Sequence, residues 1–259
     1  SDGIQVYTYS GKGTGFKVTN ASEPNVISLD AITAELTNKP FLNVSRGGGV
    51  YPTAFCADAT GSRLLVSLNI NAILEVATDS GATFVVSEGE SSGKTLVAAA
   101  HPNEASTLVT GSSAGVIKVY NLGHNAREVT GVLSLDKKPP TAISFISSNT
   151  FAIGVDRSDT GGKSGAVFLI ELGAPQADMQ TGGRQLVGPH SRKMKIVKKI
   201  HNIGVGNVTS IKLSPDGGYL ACSSSDGNVY FFNTANDYAP VGLAAAMNAT
   251  TEVADFDWS

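Results

Sequence analysis

The sequence predicts an all-β fold of radially packed, blade-like sheets, a β-propeller. Three observations carry this expectation. Short segments of alternating apolar and polar residues recur in one order: strand, turn, strand, turn, strand. Glycine is abundant, with 29 residues, and Asn, Ser and Thr crowd around many of them, which suits tight reversals between short strands. Helix signals are scarce: the best candidate, residues 243–247, is too short for a stable helix on its own.

The clearest unit spans residues 206–233. Val208-Thr209-Ser210-Ile211-Lys212-Leu213 alternates as a half-buried strand does. Pro215, Asp216 and Gly217 follow in a tight turn, because proline presets φ and glycine accepts positive φ. Tyr219-Leu220-Ala221-Cys222-Ser223 is the next strand. Asp226 and Gly227 mark a hairpin turn before Val229-Tyr230-Phe231-Phe232. The same order recurs over residues 50–78, 95–121 and 139–172. One such sheet cannot bury its own faces, so neighbours must stack on both sides around an axis.

This gives about four complete WD-type blades. Partial blades flank them: residues 1–20, read as the turn and third strand of a blade whose beginning is absent, and residues 252–259, read as the first strand of a further blade. The expectation is an arc of a larger propeller, in which 255–258 forms an inner strand with partners elsewhere.

Composition bounds the function. Of 259 residues, 41% are hydrophobic and 16% charged, which is a globular balance. A net charge of −3 and a pI near 5.8 argue against nucleic acid as partner. No apolar run approaches the roughly 18 residues of a membrane span, and Ser1-Asp2-Gly3 lacks the basic start and apolar core of a signal peptide. Cys56 and Cys222 lie in apolar strand-like runs and read as small buried hydrophobes rather than a disulfide. Sequons at Asn20, Asn43, Asn207 and Asn248 read as chance matches in a chain rich in Asn, Ser and Thr.

Three further stretches carry recognisable motifs. Leu64-Leu65-Val66-Ser67-Leu68-Asn69-Ile70-Asn71-Ala72-Ile73-Leu74 leads through Ser80-Gly81 to Ala99-Ala100-His101-Pro102. Lys212-Leu213-Ser214-Pro215-Asp216-Gly217-Gly218-Tyr219-Leu220-Ala221 is similar to a KFSPDGxYLA blade, followed by Ser225-Asp226-Gly227-Asn228. Asp255-Phe256-Asp257-Trp258-Ser259 is similar to HxDWS. The Gly-His usual before the last strand is replaced here by Ala246-Met247-Asn248-Ala249. Together these stretches resemble the second propeller of the echinoderm microtubule-associated protein-like family, and the resemblance implies a scaffold within a large assembly, with tubulin or the microtubule as partner. It implies a place in the cytoplasm, on the cytoskeleton, or in a cilium or axoneme.

Apparent catalytic motifs dissolve on inspection. Gly111-Ser112-Ser113-Ala114-Gly115 matches G-x-S-x-G, but a nucleophile elbow needs a following helix and β-prone Val116-Ile117-Lys118-Val119-Tyr120 follows. Gly93-Lys94-Thr95 and Gly162-Lys163-Ser164 lack the leading glycine of a P-loop, holding Glu88 and Arg157 there instead, and the glycines at 11–15 precede no helix. His101, His124, His190 and His201 show no zinc spacing. Asp156 and Asp159 lack the rest of a calcium loop, and Asp216, Asp226 and Asp257 read as turn caps. The reading is therefore no enzyme, no cofactor and no metal. Pro215, Asp216, Gly217, Asp226, Gly227, Asp257 and Trp258 are assigned as structural motif residues.

One stretch stands out as an interaction candidate. Arg184, Arg192, Lys193, Lys195, Lys198 and Lys199 place six positive charges together with no acid, and taking those six from −3 leaves −9 for the remainder. Such segregation speeds encounter with an acidic partner. Arg192, Lys193, Lys195, Lys198 and Lys199 are the candidate partner-binding residues. The alternatives are a solvated insertion leading into an outer strand at 196–200, whose lysines discourage edge pairing, and a generic cytosolic WD-repeat adaptor in another complex.

Overall fold

Alternation and tight turns fold the chain into consecutive antiparallel meanders. The structure is a computed structural model that describes residues 6–9, 16–19, 24–27, 52–80, 83–87, 93–123, 126–156, 164–176, 191–245 and 252–258. Strands β1 (Val6–Tyr9), β2 (Phe16–Thr19) and β3 (Pro24–Ile27) form a three-stranded sheet. Four four-stranded sheets follow. Sheet 1 holds β4 (Pro52–Ala57), β5 (Arg63–Leu68), β6 (Ile73–Ala77) and β7 (Thr83–Ser87). Sheet 2 holds β8 (Thr95–Ala100), β9 (Thr107–Ser112), β10 (Val116–Gly123) and β11 (Ala126–Ser134). Sheet 3 holds β12 (Pro140–Ser147), β13 (Thr150–Val155), β14 (Gly165–Leu172) and β15 (Met194–Ile203). Sheet 4 holds β16 (Val208–Leu213), β17 (Tyr219–Ser224), β18 (Asn228–Asn233) and β19 (Ala239–Ala245).

The first strands of neighbouring sheets stand closest, β4 by β8, β8 by β12 and β12 by β16. The sheets therefore radiate from a common inner edge and pack face to face, as blades of a WD-type β-propeller. Each second strand lies between two neighbours and is buried almost throughout, which is why β5, β9, β13 and β17 read as continuous small or apolar runs. Apolar cores fill the gaps: Leu65, Leu108 and Tyr120 between sheets 1 and 2, Phe151, Ile153 and Phe168 between sheets 2 and 3, and Ile200, Val208 and Phe232 between sheets 3 and 4.

Two bulges repeat in every one of these four sheets. The first strand slips register just after its first residue, leaving Thr53, Leu96, Thr141 and Thr209 unopposed. The fourth strand slips at Val86, Thr130, Val197 and Val241. A bulge bends a strand and raises its twist. At the penultimate position of the second strand each sheet carries a small residue: Ser67, Gly111, Gly154 and Ser223. A Cβ on Gly111 would stand 2.5 Å from Pro140 Cγ, and one on Gly154 would stand 2.6 Å from Val208 Cγ1. Glycine thus admits the first residue of the next blade.

Several expectations need correction. Each blade has a fourth, outer strand that the expected spans 50–78, 95–121 and 206–233 omit; for 139–172 that strand lies beyond the insertion, at β15. Residues 243–245, too short a run for a helix, belong to strand β19. Residues 255–258 form no strand; 252–258 is an irregular segment lying along sheet 4. The amino-terminal sheet continues to Ile27, beyond residue 20. The readings at residues 1–5, 11–15, Asn20, Asn43, His124, Asp159, Gly162-Lys163, Arg184, His190, Ala246–Ala249 and Ser259 lie outside the described residues.

Gly154→Ala tests the close approach. The added methyl meets two carbons of a β-branched side chain on a strand, neither of which can swing away. The expected loss is about 1–3 kcal/mol, read as a lower urea midpoint with an unchanged slope.

Candidate functional site

Among the described residues the basic stretch does not form one patch. Arg192 is largely buried and pairs with the Glu104 carboxylate in the β8–β9 turn. Its backbone N–H donates to the Thr130 carbonyl on β11 at 2.7 Å. Arg192 is thus a joint between sheets 2 and 3. Lys198 pairs with Asp237 of the β18–β19 turn, joining sheets 3 and 4. Lys199 lies over the Phe168 ring, 5.1 Å from its centroid, with its head toward solvent. Lys193 and Lys195 are exposed.

The bulge at Val197 explains the division. Met194 and Ile196 pack into the core between sheets 2 and 3, whereas Ile200 packs into the core between sheets 3 and 4. Before the bulge the odd residues Lys193 and Lys195 face the sheet 4 side; after it the even residue Lys198 does, and Lys199 turns to the sheet 2 side.

Around Arg192 the joint is dense. The amides of Asn103 and Glu104 donate to His101 Nδ1 at 3.1 and 2.9 Å. Nδ1 is therefore the acceptor, and Nε2 carries the proton that it donates to the Ser148 carbonyl of sheet 3. His101 is 2% exposed and meets Phe145 edge-on at 5.0 Å. Burial alone would raise the Glu104 carboxyl, but the Thr107 hydroxyl at 2.7 Å and the Arg192 charge outweigh it and hold the group below its ordinary value. On the other side, Arg63 of sheet 1 donates to the carbonyls of Ala105 at 2.6 Å and Leu122 at 3.1 Å, while meeting Asp58 and Glu75 at 3.3 Å each. The β8–β9 turn is held from both neighbouring blades.

A groove of about 560 Å³ runs between sheets 3 and 4. Lys198, Ile200, Tyr230, Phe232, Tyr238 and Asp237 are among its lining residues.

Pro215, Asp216, Gly217, Asp226 and Gly227 sit in turns, whereas Asp257 and Trp258 lie in the irregular 252–258 segment and cap no turn. The Ser214 hydroxyl donates to Asp216 at 2.5 Å and the Gly218 amide does so at 2.9 Å, which holds this exposed carboxyl below its ordinary value. Pro215 and Gly217, with φ of 73° at the glycine, complete the reversal between β16 and β17. Gly227 has φ of 86° in the β17–β18 turn, as Gly115 has φ of 72° in sheet 2 and Asn71 has 64° in sheet 1. Burial would raise the Asp226 carboxyl, yet donors from Val205 N at 2.9 Å, Tyr230 Oη at 2.8 Å and Asn228 N at 3.1 Å lower it. Burial and that same bond push Tyr230 up to about 12.

Asp257 lies 3.6 Å from Lys212 Nζ, Asp255 lies 3.4 Å from it, and Trp258 meets Phe231 at 5.8 Å between centroids. Ser210 also donates to Asp255 at 2.6 Å. The 252–258 segment is therefore anchored on sheet 4 by side chains rather than by strand pairing.

The residues of the apparent motifs are occupied locally. Ser113 Oγ accepts from the Lys94 amide at 3.0 Å in a turn between two strands, and no helix follows. Burial pushes the Cys56 thiol up to about 12 and the Cys222 thiol further, so both stay protonated near neutrality. Among the described residues no three His, Cys, Asp or Glu side chains gather as a metal site. No helix of the described residues is long and apolar enough to cross a membrane.

The blades and their turns define a WD-type β-propeller. Residues 197–233 match the WD40 family, described as WD domain, G-beta repeat. The chain is 28% identical over 131 residues to Cilia- and flagella-associated protein 44 of Mus musculus, a match covering 48% of this chain and 7% of that relative.

Two expected outcomes follow from the joints. Arg192→Gln leaves Glu104 without its charged partner, so stability falls by about 1–3 kcal/mol, whereas Lys195→Gln changes it by no more than about 0.5 kcal/mol. Chemical denaturation of both variants checks this. For Asp226 the folded value is depressed, so its contribution is complete above the unfolded value of about 4 and is lost as pH falls through the folded one. The denaturation midpoint of the wild type should drop in that acidic window, and the profile of Asp226→Asn should be flatter there.

Proposed function

We propose that this chain is part of a non-catalytic scaffold in a microtubule-based assembly of the ciliary kind, with tubulin as its acidic partner. The observation that carries the reading is the set of exposed lysines, Lys193, Lys195 and Lys199, on the rim of sheet 3 in a chain whose net charge is −3. The resemblance to the echinoderm microtubule-associated protein-like family and the name of the mouse relative support it. The inter-blade joints account for Arg192, so that residue leaves the partner-binding set.

Microtubule co-sedimentation tests the reading. Replacing Lys193, Lys195, Lys198 and Lys199 together with glutamine should weaken pelleting about tenfold or more, since exposed pairs contribute roughly 0.2–1 kcal/mol each. Added salt should weaken the wild type as screening shortens the reach of these charges. Equal pelleting of both proteins at low and physiological salt would move the contact to another surface. No pelleting of either would favour an adaptor in another assembly, for which the groove between sheets 3 and 4 is the natural place.

A further inference from the structure

We propose that the outer edge of β15 takes up an extended acidic segment of a partner protein by strand addition, and that this segment carries consecutive carboxylates rather than alternating ones. The inference rests on the scaffold reading above for the acidic nature of the partner, and goes beyond it in naming the form the partner takes.

The edge is open. β15 is the last strand of sheet 3, paired on one side with β14, and among the described residues no strand pairs with its other side. Edge N–H and C=O groups are a template for an incoming strand. Its chemistry also differs from that of the other outer edge nearby, β19, whose residues Ala239-Pro240-Val241-Gly242-Leu243-Ala244-Ala245 carry no charge.

The bulge sets the spacing of the cations. In a regular strand Lys193, Lys195 and Lys199 would all share one face, because faces alternate with period two. The slip at Val197 sends Lys199 to the opposite face from Lys193 and Lys195. An added strand also alternates, so a run of adjacent carboxylates presents charge to both faces at once. A segment with acids at every second residue reaches only one set. Lys198 is already held by Asp237 and adds little. Glu171, opposite Lys195 on β14, offsets part of one charge, and it is the only acid in that strand. Lysines flanking an open edge also deter unwanted pairing. The two roles are compatible, since the charge rejects apolar and basic strands while admitting acidic ones.

The test uses the whole chain and three labelled twelve-residue peptides followed by fluorescence anisotropy. One carries six consecutive glutamates flanked by threonines, one carries six glutamates alternating with threonines, and one repeats the first with N-methyl groups at alternate backbone positions. The expected result is tightest binding of the consecutive peptide, several-fold weaker binding of the alternating one, and loss with N-methylation. Replacing Lys193, Lys195 and Lys199 with glutamine should weaken the consecutive peptide about tenfold, with Lys137→Gln as an unaffected control. The three comparisons on the wild type stand even if the triple variant fails to fold. Equal binding of all three peptides, or binding of none, overturns the proposal. Microtubule pelleting without peptide binding leaves the scaffold reading in place and removes the strand-addition mode. Peptide binding in the expected order without pelleting supports the mode and removes tubulin as the partner.

Discussion

The close approach of Pro140 to Gly111 and of Val208 to Gly154, each glycine near the end of the previous blade's second strand, sets the spacing of sheets 2, 3 and 4. At Gly154 the gap leaves no room for a Cβ beside Val208, and at Gly111 none beside Pro140. Because the approach is so tight at the inner edge, the sheets splay outward, and the wedge between them must be filled by larger side chains. Phe151 and Phe168 fill it between sheets 2 and 3; Phe232 and Ile200 fill it between sheets 3 and 4. The bulge that follows each first residue belongs to the same constraint. It lets the inner strand twist away after the contact has been made.

At the end of the sheets that carries the β8–β9 turn, apolar packing gives way to charged struts. Arg63 and Arg192 reach from opposite blades to the one β8–β9 turn, and His101 fixes that turn from beneath with both ring nitrogens engaged. A guanidinium suits this work because its fork satisfies carbonyls and carboxylates together at a distance that no short side chain spans. The consequence for function is direct. A positive charge used as a strut is neutralised and buried, so the cationic character of residues 192–199 is smaller at the surface than their composition suggests.

The sequence made the first three strands of each blade legible, because they combine alternation or continuous burial with turns that demand Gly, Asn, Pro or Asp. Asp226 and Gly227, for instance, could be assigned to a hairpin turn from their order alone, and the three donors around the Asp226 carboxylate show why an acid stands there. Of the fourth strands only that of sheet 3 was legible, as the outer strand at 196–200. In β19 every residue after the first is exposed, so burial imposes no pattern, and the bulge at Val241 breaks what alternation remains. The same slip in β15 hid the fact that its lysines occupy two faces. Arg192 was misgrouped for a different reason: its partner, Glu104, lies far away in the chain, and no local pattern signals a contact made across two blades. A conformational preference is local and can be read; an ion pair between sheets depends on how the sheets meet.

The two outer edges differ in what they can admit, and that difference follows from the same geometry. A strand on the rim of a radial sheet has one side paired and the other open, whatever its sequence. Where that strand is short, neutral and opened by Pro240, as in β19, pairing loses a donor at one end and gains no charge selectivity. Where it is long and cationic, as in β15, a basic strand is repelled and an acidic one attracted before any backbone bond forms. The bulge then decides how the attraction is distributed, because it is a feature of the blade and not of the lysines. All four outer strands carry it, yet only β15 places one lysine, Lys195, before it and another, Lys199, after it, with Lys193 just ahead of the strand. An architectural slip common to every blade thereby becomes, in one of them, a means of presenting charge on both sides of a single edge.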